Sequence, residues 1–122
     1  MLGDSNGIDN KYSFIGTSNN STTKEEFSFV GFGEDHIVNI GWSSVLGGRG
    51  NSILSPNLTS HPIGYNSITN GRSNNILAEN LNIGLYNYVA NGSRNVIKDG
   101  NYNVILSGDT NFATSSYGFI AT

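Results

Sequence analysis

The chain has 122 residues and a formal net charge of −3 at pH 7, with 12% charged and 36% hydrophobic residues. Its 16 Gly, 19 Asn and 16 Ser exclude a helical bundle, while its 11% aromatic residues are too many for a disordered linker. The length fits a single domain spanning residues 1–122. No apolar run approaches about 18 residues, so no membrane insertion is expected, and the acidic balance predicts no binding of nucleic acid.

A phrase of the form Gly-x-x-Asn-x-apolar recurs along the chain. It occurs at 3–8, 48–53 and 71–76, is one residue shorter at 64–68, and then repeats as four octads that begin at Gly84, Gly92, Gly100 and Gly108. Gly and Asn tolerate the positive φ that tight corners need, and the short segments between them are rich in strand-forming residues. The pattern predicts an all-β, parallel β-solenoid (a β-roll) of about eight coils, each with about 15 residues and two short strands. The stretches 17–27 and 54–62 fall out of this register and predict irregular coils.

Two apolar columns, half a coil apart, predict the core of the coils. The first column contains Ile8, Val38, Ile53, Ile68, Ile83, Ile97 and Ala113, with Thr23 in the gap after Ile8. The second contains Ile15, Val30, Leu46, Ile63, Ile76, Val89, Ile105 and Ile120.

The residues just before the second column are also largely apolar. Because successive side chains of a strand point to opposite faces, this strand should be apolar on its outer face as well. A contiguous exposed apolar stripe marks an interaction surface, and a coil of this size encloses a small core for its surface. We therefore expect self-association through Phe14, Phe29, Val45, Tyr88, Val104 and Phe119.

Several short phrases resemble the head repeats of trimeric autotransporter adhesins. They are Ser13-Phe-Ile-Gly16, Ser28-Phe-Val-Gly31, Ser44-Val-Leu-Gly47, His61-Pro-Ile-Gly64 and Leu81-Asn-Ile-Gly84. The resemblance covers most of residues 13–122 and implies a left-handed roll with three chains around one axis, that is, a homotrimer. Phage and viral tail fibres carry similar trimeric modules. The sequence departs from the adhesin pattern in its Ala positions and shows no neck, heptad stalk or anchor, which favours a viral fibre.

No residue cluster predicts catalysis, a metal ion or a cofactor. Glu34, Asp35 and His36 are neighbours on a strand and would point to different faces, so we expect solvated loop residues rather than a metal or acid–base site. The phrase Gly47–Ile53 is similar to a calcium-binding nonapeptide but has Ser52 where that motif requires Asp. Four aromatic residues in turns are candidate glycan contacts, with packing at the corners or between chains as the alternative: Trp42, Tyr65, Tyr86 and Tyr102.

These features predict a structural, non-enzymatic protein. The expected location is the surface of a virion, as a phage tail or head fibre or a decoration protein, with other virion proteins at the rod ends. Contact with a host surface glycan or protein receptor would be a secondary role. The alternative is the head domain of a bacterial trimeric adhesin, located at the bacterial cell surface and binding host matrix or glycans.

Overall fold

The computed structural model describes residues 3–55, 64–79 and 86–122. Within these ranges the chain forms sixteen short β-strands and no helix. In chain order the strands are β1 (Gly7–Ile8), β2 (Phe14–Ile15), β3 (Ser18–Asn19), β4 (Thr22–Thr23), β5 (Phe29–Val30), β6 (Gly33–Glu34), β7 (Ile37–Val38), β8 (Ser44–Val45), β9 (Ser52–Leu54), β10 (Ser67–Ile68), β11 (Asn75–Leu77), β12 (Tyr88–Val89), β13 (Val96–Lys98), β14 (Val104–Ile105), β15 (Phe112–Ala113) and β16 (Phe119–Ile120).

The strands stack into two seven-stranded sheets and one two-stranded sheet. The first sheet has the order β1-β4-β7-β9-β11-β13-β15, the second has the order β2-β5-β8-β10-β12-β14-β16, and β3 pairs with β6. Every pairing is parallel, as in Ile8 with Thr23 and Val45 with Ile68. The third side continues as single parallel bridges that join Glu34, Arg49, Arg72, Ser93 and Asp109. This arrangement confirms the predicted all-β parallel solenoid, with seven strands in each large sheet among the described residues.

The number of residues per coil changes along the stack. Equivalent positions are 15 residues apart in the first coils, as in the bond from Ser21 N–H to the Asn6 side chain, and the interval then becomes 23, 21 and 16. Residues 17–27 keep the 15-residue interval, so the irregular coil predicted there is absent. The 23- and 21-residue intervals contain residues 56–63 and 80–85. The predicted irregular coil at 54–62 and the predicted core residues Ile63 and Ile83 therefore lie wholly or largely outside the described residues.

The longer intervals also exchange two core positions between the sheets. Ile68 pairs with Val45 in the second sheet, and Ile76 pairs with Ile53 in the first sheet. The uniform repeat near 15 residues had assigned Ile68 to the first column and Ile76 to the second. Both side chains are nevertheless fully buried.

A repeated backbone unit opens most of the strands. At most strand starts, a residue in the left-handed region precedes an inward polar residue, and an inward apolar residue follows two positions later. Trp42 has φ 59° and precedes Ser43, whereas Gly50 has φ 64° and precedes Asn51. Among the described corners of this kind, only Asn20, Asp35 and Gly50 are residue types that favour this region, and the others include Ser, Thr, Arg and six aromatic residues. The repeated Gly lies two positions before the corner residue, as Gly71 (φ 106°) does before Ser73, and the repeated Asn is the inward polar residue that follows the corner.

The interior is one continuous column of buried aliphatic side chains, to which both large sheets contribute. It contains Ile15, Val30, Val38, Ile40, Val45, Ile53, Ile68, Ile76, Ala78, Val89, Ile97 and Ile105. Burying one such large side chain stabilises the fold by about 1.5–3 kcal/mol. Ile120 is partly buried against this column. Ile8, predicted as core, is 39% exposed because it lies in β1, which has a neighbouring strand on one side only.

Leu46 and Val45 occupy the opposite faces from those predicted. Val45 is fully buried and Leu46 is 40% exposed. Because Ser43 and Ser44 are adjacent, either could align with the serine of the repeated phrase. The structure aligns Ser43, not Ser44, with Ser28 at the inward corner. A register slip of one residue reverses the face of every side chain in a strand, so the predicted interface role of Val45 and core role of Leu46 are both wrong.

Candidate functional site

The second sheet carries an outer face without any charged residue. One row of outward side chains comes directly before the buried positions and contains Phe14, Phe29, Ser44, Ser67, Tyr88, Val104 and Phe119. A second row follows the buried positions and contains Gly16, Gly31, Leu46, Thr69, Ala90, Leu106 and Ala121. We call these two rows the apolar face. They contain no Asp, Glu, Lys or Arg, whereas the matching outward positions of the first sheet include Asp9, Lys24 and Lys98.

The apolar face contains five of the six residues predicted for the chain–chain interface. Phe14 and Phe119 are exposed, and Phe29, Tyr88 and Val104 are partly buried within the single chain. Phe14 and Phe29 stack with their ring centroids 5.4 Å apart. Each ring packs against the glycine two positions later in the chain. A Cβ on Gly16, for example, would lie 3.2 Å from the Phe14 ring. Because glycine has no side chain, the two rings can pack directly against the backbone at these positions.

Two serines interrupt the aromatic character in the middle of the apolar face. The Ser44 hydroxyl donates to the Ser67 hydroxyl at 3.1 Å, and the hydroxyls of Thr69 and Tyr88 are 2.8 Å apart. These polar atoms are paired with each other, so they can be covered by a partner at a small desolvation cost. The face is therefore continuous in its lack of charge, although it is not uniformly apolar.

A column of seven aromatic rings runs along one border of the apolar face. We call it the aromatic ladder, and its members are Tyr12, Phe27, Trp42, Tyr65, Tyr86, Tyr102 and Tyr117. Neighbouring ring centroids are between 4.2 and 6.0 Å apart. Each ring belongs to the residue two positions before an outward residue of the apolar face, so the ladder and the face form one continuous surface.

The backbone of the aromatic ladder is as unusual as its rings. Six of its members have φ between 56° and 64°, with Tyr65 as the exception. A bulky residue rarely adopts this conformation, which costs about 1–2 kcal/mol per residue relative to the right-handed region. Stacked aromatic pairs contribute about 0.5–1.5 kcal/mol beyond their buried area. The stacking therefore offsets much of the backbone cost at these corners.

Sequence reasoning singled out four members of the ladder and missed three. Trp42, Tyr65, Tyr86 and Tyr102 were predicted as glycan contacts, while Tyr12, Phe27 and Tyr117 were not grouped with them. The missed rings follow the same intervals as the buried core, and this shared spacing was the signal that could have found them. A search for aromatic residues at the core intervals would have assembled the whole ladder.

The ladder geometry limits how its rings can contact a sugar. Tyr86 lies between Tyr65 and Tyr102, with both centroid distances equal to 5.0 Å. The planes of Tyr86 and Tyr102 differ by only 2°. A sugar ring cannot enter a gap that small, so a glycan cannot stack on either face of the Tyr86 ring. The outer edges of these rings remain exposed.

Buried polar side chains support the corners from within. The Oδ1 atom of Asn51 accepts from the backbone N–H of Asn74 at 3.0 Å, and Asn74 does the same for Asn95. The Nδ2 of each donates to the carbonyl four residues earlier, as from Asn51 to Gly47 at 2.9 Å. Because each amide satisfies a corner backbone group in the next coil, this Asn column holds the strands of the first sheet in register. Asn66, Asn87 and Asn103 form the equivalent column beside the strands that carry the apolar face.

His36 occupies the same column and behaves as an Asn would. It is fully buried, which corrects its prediction as a solvated loop residue. Its Nδ1 accepts from the Asn51 N–H at 3.3 Å, and its Nε2 contacts the Phe32 carbonyl, four residues earlier, at 3.2 Å. Burial lowers the pKa of His36 below 6.5, opposed by these backbone bonds and by the nearby Asp35. The ring is therefore a neutral structural group.

Charged side chains cluster on the third side of the solenoid, away from the apolar face. Arg49 lies 3.3 Å from Glu34 and 3.8 Å from Asp35, and Arg94 pairs with Asp109. These pairs are exposed, so each contributes at most about 1 kcal/mol. In the described ranges, no group of three His, Cys, Asp or Glu side chains is arranged to hold a metal ion. The same ranges contain no helix long and apolar enough to cross a membrane.

Comparison of the chain with protein-family models, with curated proteins and with solved structures found no match.

Proposed function

We propose that this protein is a structural, non-enzymatic rod whose chains associate side by side through the apolar face, as part of a phage or viral fibre or of a virion decoration protein. The observation that carries the proposal is the uncharged outer face that extends over all seven strands of the second sheet. The virion setting is supported by the resemblance of the repeated phrases to trimeric fibre and adhesin modules. The proposed assembly is a homotrimer around this face.

The size of the surface supports association. Seven strands spaced about 4.8 Å apart give a face about 30 Å long. With the aromatic ladder along its border, the face is an extended uncharged surface of the kind that marks interaction sites on soluble proteins. Closed cyclic assembly is the usual outcome for identical chains.

Molar mass in solution tests the proposal. Light scattering on the 13.0 kDa chain at micromolar concentration should give about three times the monomer mass. Phe29→Ser should shift the protein towards monomer because it removes one of the two stacked rings of the apolar face and puts a polar group in its place.

Ile37→Ser is the matched control. Ile37 is also the outward residue of a two-residue strand, but it belongs to the first sheet. It should leave the molar mass unchanged. A stable monomer of the unmodified chain, or equal dissociation by both variants, would overturn the proposed assembly.

A further inference from the structure

The corners of the solenoid treat the three Asn-Gly pairs of the chain differently. The pairs are Asn6-Gly7, Asn70-Gly71 and Asn91-Gly92. An Asn followed by Gly is the sequence most prone to spontaneous loss of the side-chain amide, because Gly presents no side chain to hinder attack by its own backbone nitrogen. The fold decides which of these pairs has the freedom to react.

Asn6-Gly7 is tied into the stack. The Asn6 Oδ1 accepts from the Ser21 N–H at 2.9 Å, and its Nδ2 donates to the Ser18 carbonyl. The Gly7 N–H donates to the Ser21 carbonyl at 2.9 Å as part of the first sheet. Both the attacking nitrogen and the leaving amide are therefore held by hydrogen bonds.

Asn70-Gly71 and Asn91-Gly92 are held differently. Both Asn residues are exposed and follow strands of the second sheet. The Gly71 N–H donates to the Oδ1 of Asn70 at 2.8 Å, and the Gly92 N–H donates to the Oδ1 of Asn91 at the same distance. In the described part of the chain, neither glycine N–H bonds to a backbone carbonyl, and neither Asn Nδ2 has a hydrogen-bond partner. The attacking nitrogen thus lies beside a side-chain amide that is open to water.

We infer that Asn70 and Asn91 are sites of spontaneous deamidation in the folded protein, while Asn6 is protected. The Gly nitrogen loses its proton and bonds to the Asn Cγ, the Cγ–Nδ2 bond breaks, and ammonia leaves with that proton. Water then opens the resulting succinimide at either carbonyl and gives an aspartyl or an isoaspartyl linkage. The reaction needs no enzyme and no co-reactant other than water.

The product changes the rod at two adjacent coils. Each event adds one negative charge close in the chain to the bridges of the third side, two residues before Arg72 or two before Ser93. An isoaspartyl linkage also adds a carbon to the backbone immediately before a glycine that has no spare room, since a Cβ on Gly71 would clash with the Gly92 carbonyl oxygen. Accumulated deamidation should therefore loosen the third side between these coils.

Peptide mapping by mass spectrometry tests the inference on the full folded chain. During incubation at mildly alkaline pH, the peptides that contain Asn70 and Asn91 should each gain about 1 Da. Isoaspartate-specific enzymatic methylation should label the same peptides. The Asn6 peptide should react at least about tenfold more slowly, because it can react only after local opening of the first coils.

A denatured sample separates the effect of the fold from that of the sequence. In denaturant the three pairs should react at similar rates. The double variant Asn70→Gln/Asn91→Gln should gain no mass when folded, because Gln does not form the five-membered ring readily. If folded Asn70 and Asn91 react no faster than folded Asn6, while all three react in denaturant, the inference is wrong.

Discussion

Replacing His36 with Asn tests the reasoning about the buried polar column. Asn already occupies the equivalent position in later coils, at 51, 74 and 95, where its amide makes the same two bonds that the imidazole makes. We expect His36→Asn to fold and, at pH 8, to differ in stability by about 1 kcal/mol or less, as for other well-tolerated core replacements.

The difference between the two proteins should appear on acidification. Burial lowers the pKa of His36, so the folded state favours the neutral ring. The stabilisation from this group is complete above the unfolded pKa near 6.5 and is lost as the pH falls towards the lowered folded pKa. Glu34, Asp35 and Arg49 are the charged groups nearby.

The size of the loss follows from one hydrogen bond. Protonation makes Nδ1 a donor, which leaves the Asn51 N–H facing another donor in a buried site. An unsatisfied buried donor costs about 1–3 kcal/mol. For a chain of this length that corresponds to a fall in Tm of about 3–15 °C.

Thermal unfolding followed by circular dichroism between about pH 8 and pH 5 measures this effect. The unmodified protein should lose stability on acidification, and His36→Asn should lose much less. His61→Asn is the control for the second histidine and should retain the pH dependence. An equal loss in His36→Asn and the unmodified protein would refute the role assigned to the ring.

Two further pairs of variants test the ladder and the corners by equilibrium denaturation. Tyr86→Ala removes a ring with two stacking partners and should lower the free energy of unfolding by about 1–3 kcal/mol more than the loss of packing area alone. Tyr117→Ala removes a ring with a single partner, so this additional loss should be about half as large. Equal losses in the two variants would contradict the stacking account. Gly92→Ala should cost about 3 kcal/mol or more, because Gly92 has φ 107° and a Cβ there would clash with the Gly108 carbonyl oxygen. Gly50→Asn should change the free energy of unfolding by less than about 1 kcal/mol, because the atom nearest to the new Cβ would be 3.6 Å away and Asn tolerates φ 64°. A large loss of stability would show that this corner needs Gly for another reason.

The sequence was sufficient to predict the solenoid because its apolar residues recur at a nearly constant interval. That same assumption failed where the interval lengthens to 23 and 21 residues, and it exchanged Ile68 and Ile76 between the sheets. Periodicity counts residues along the chain, whereas hydrogen bonding between coils aligns strands whatever the length between them.

The candidate site was harder to predict for two physical reasons. Ser43 and Ser44 offered two alignments that differ by one residue, and only packing shows that Val45 is the buried one. His36 looked solvated because it follows two acidic residues, yet its ring replaces an amide inside the column. The hydrophobicity pattern of the sequence shows neither fact, because both depend on the direction in which a side chain points.

The variable coil length has a practical consequence for engineering. Val45 pairs with Ile68 and Ile53 with Ile76 as regularly as their neighbours pair, although eight more residues lie between them than in a 15-residue coil. The entropy of closing a connecting segment rises only slowly with its length. Epitopes or small tags inserted between Ser55 and Gly64 should thus leave the paired strands on either side in register.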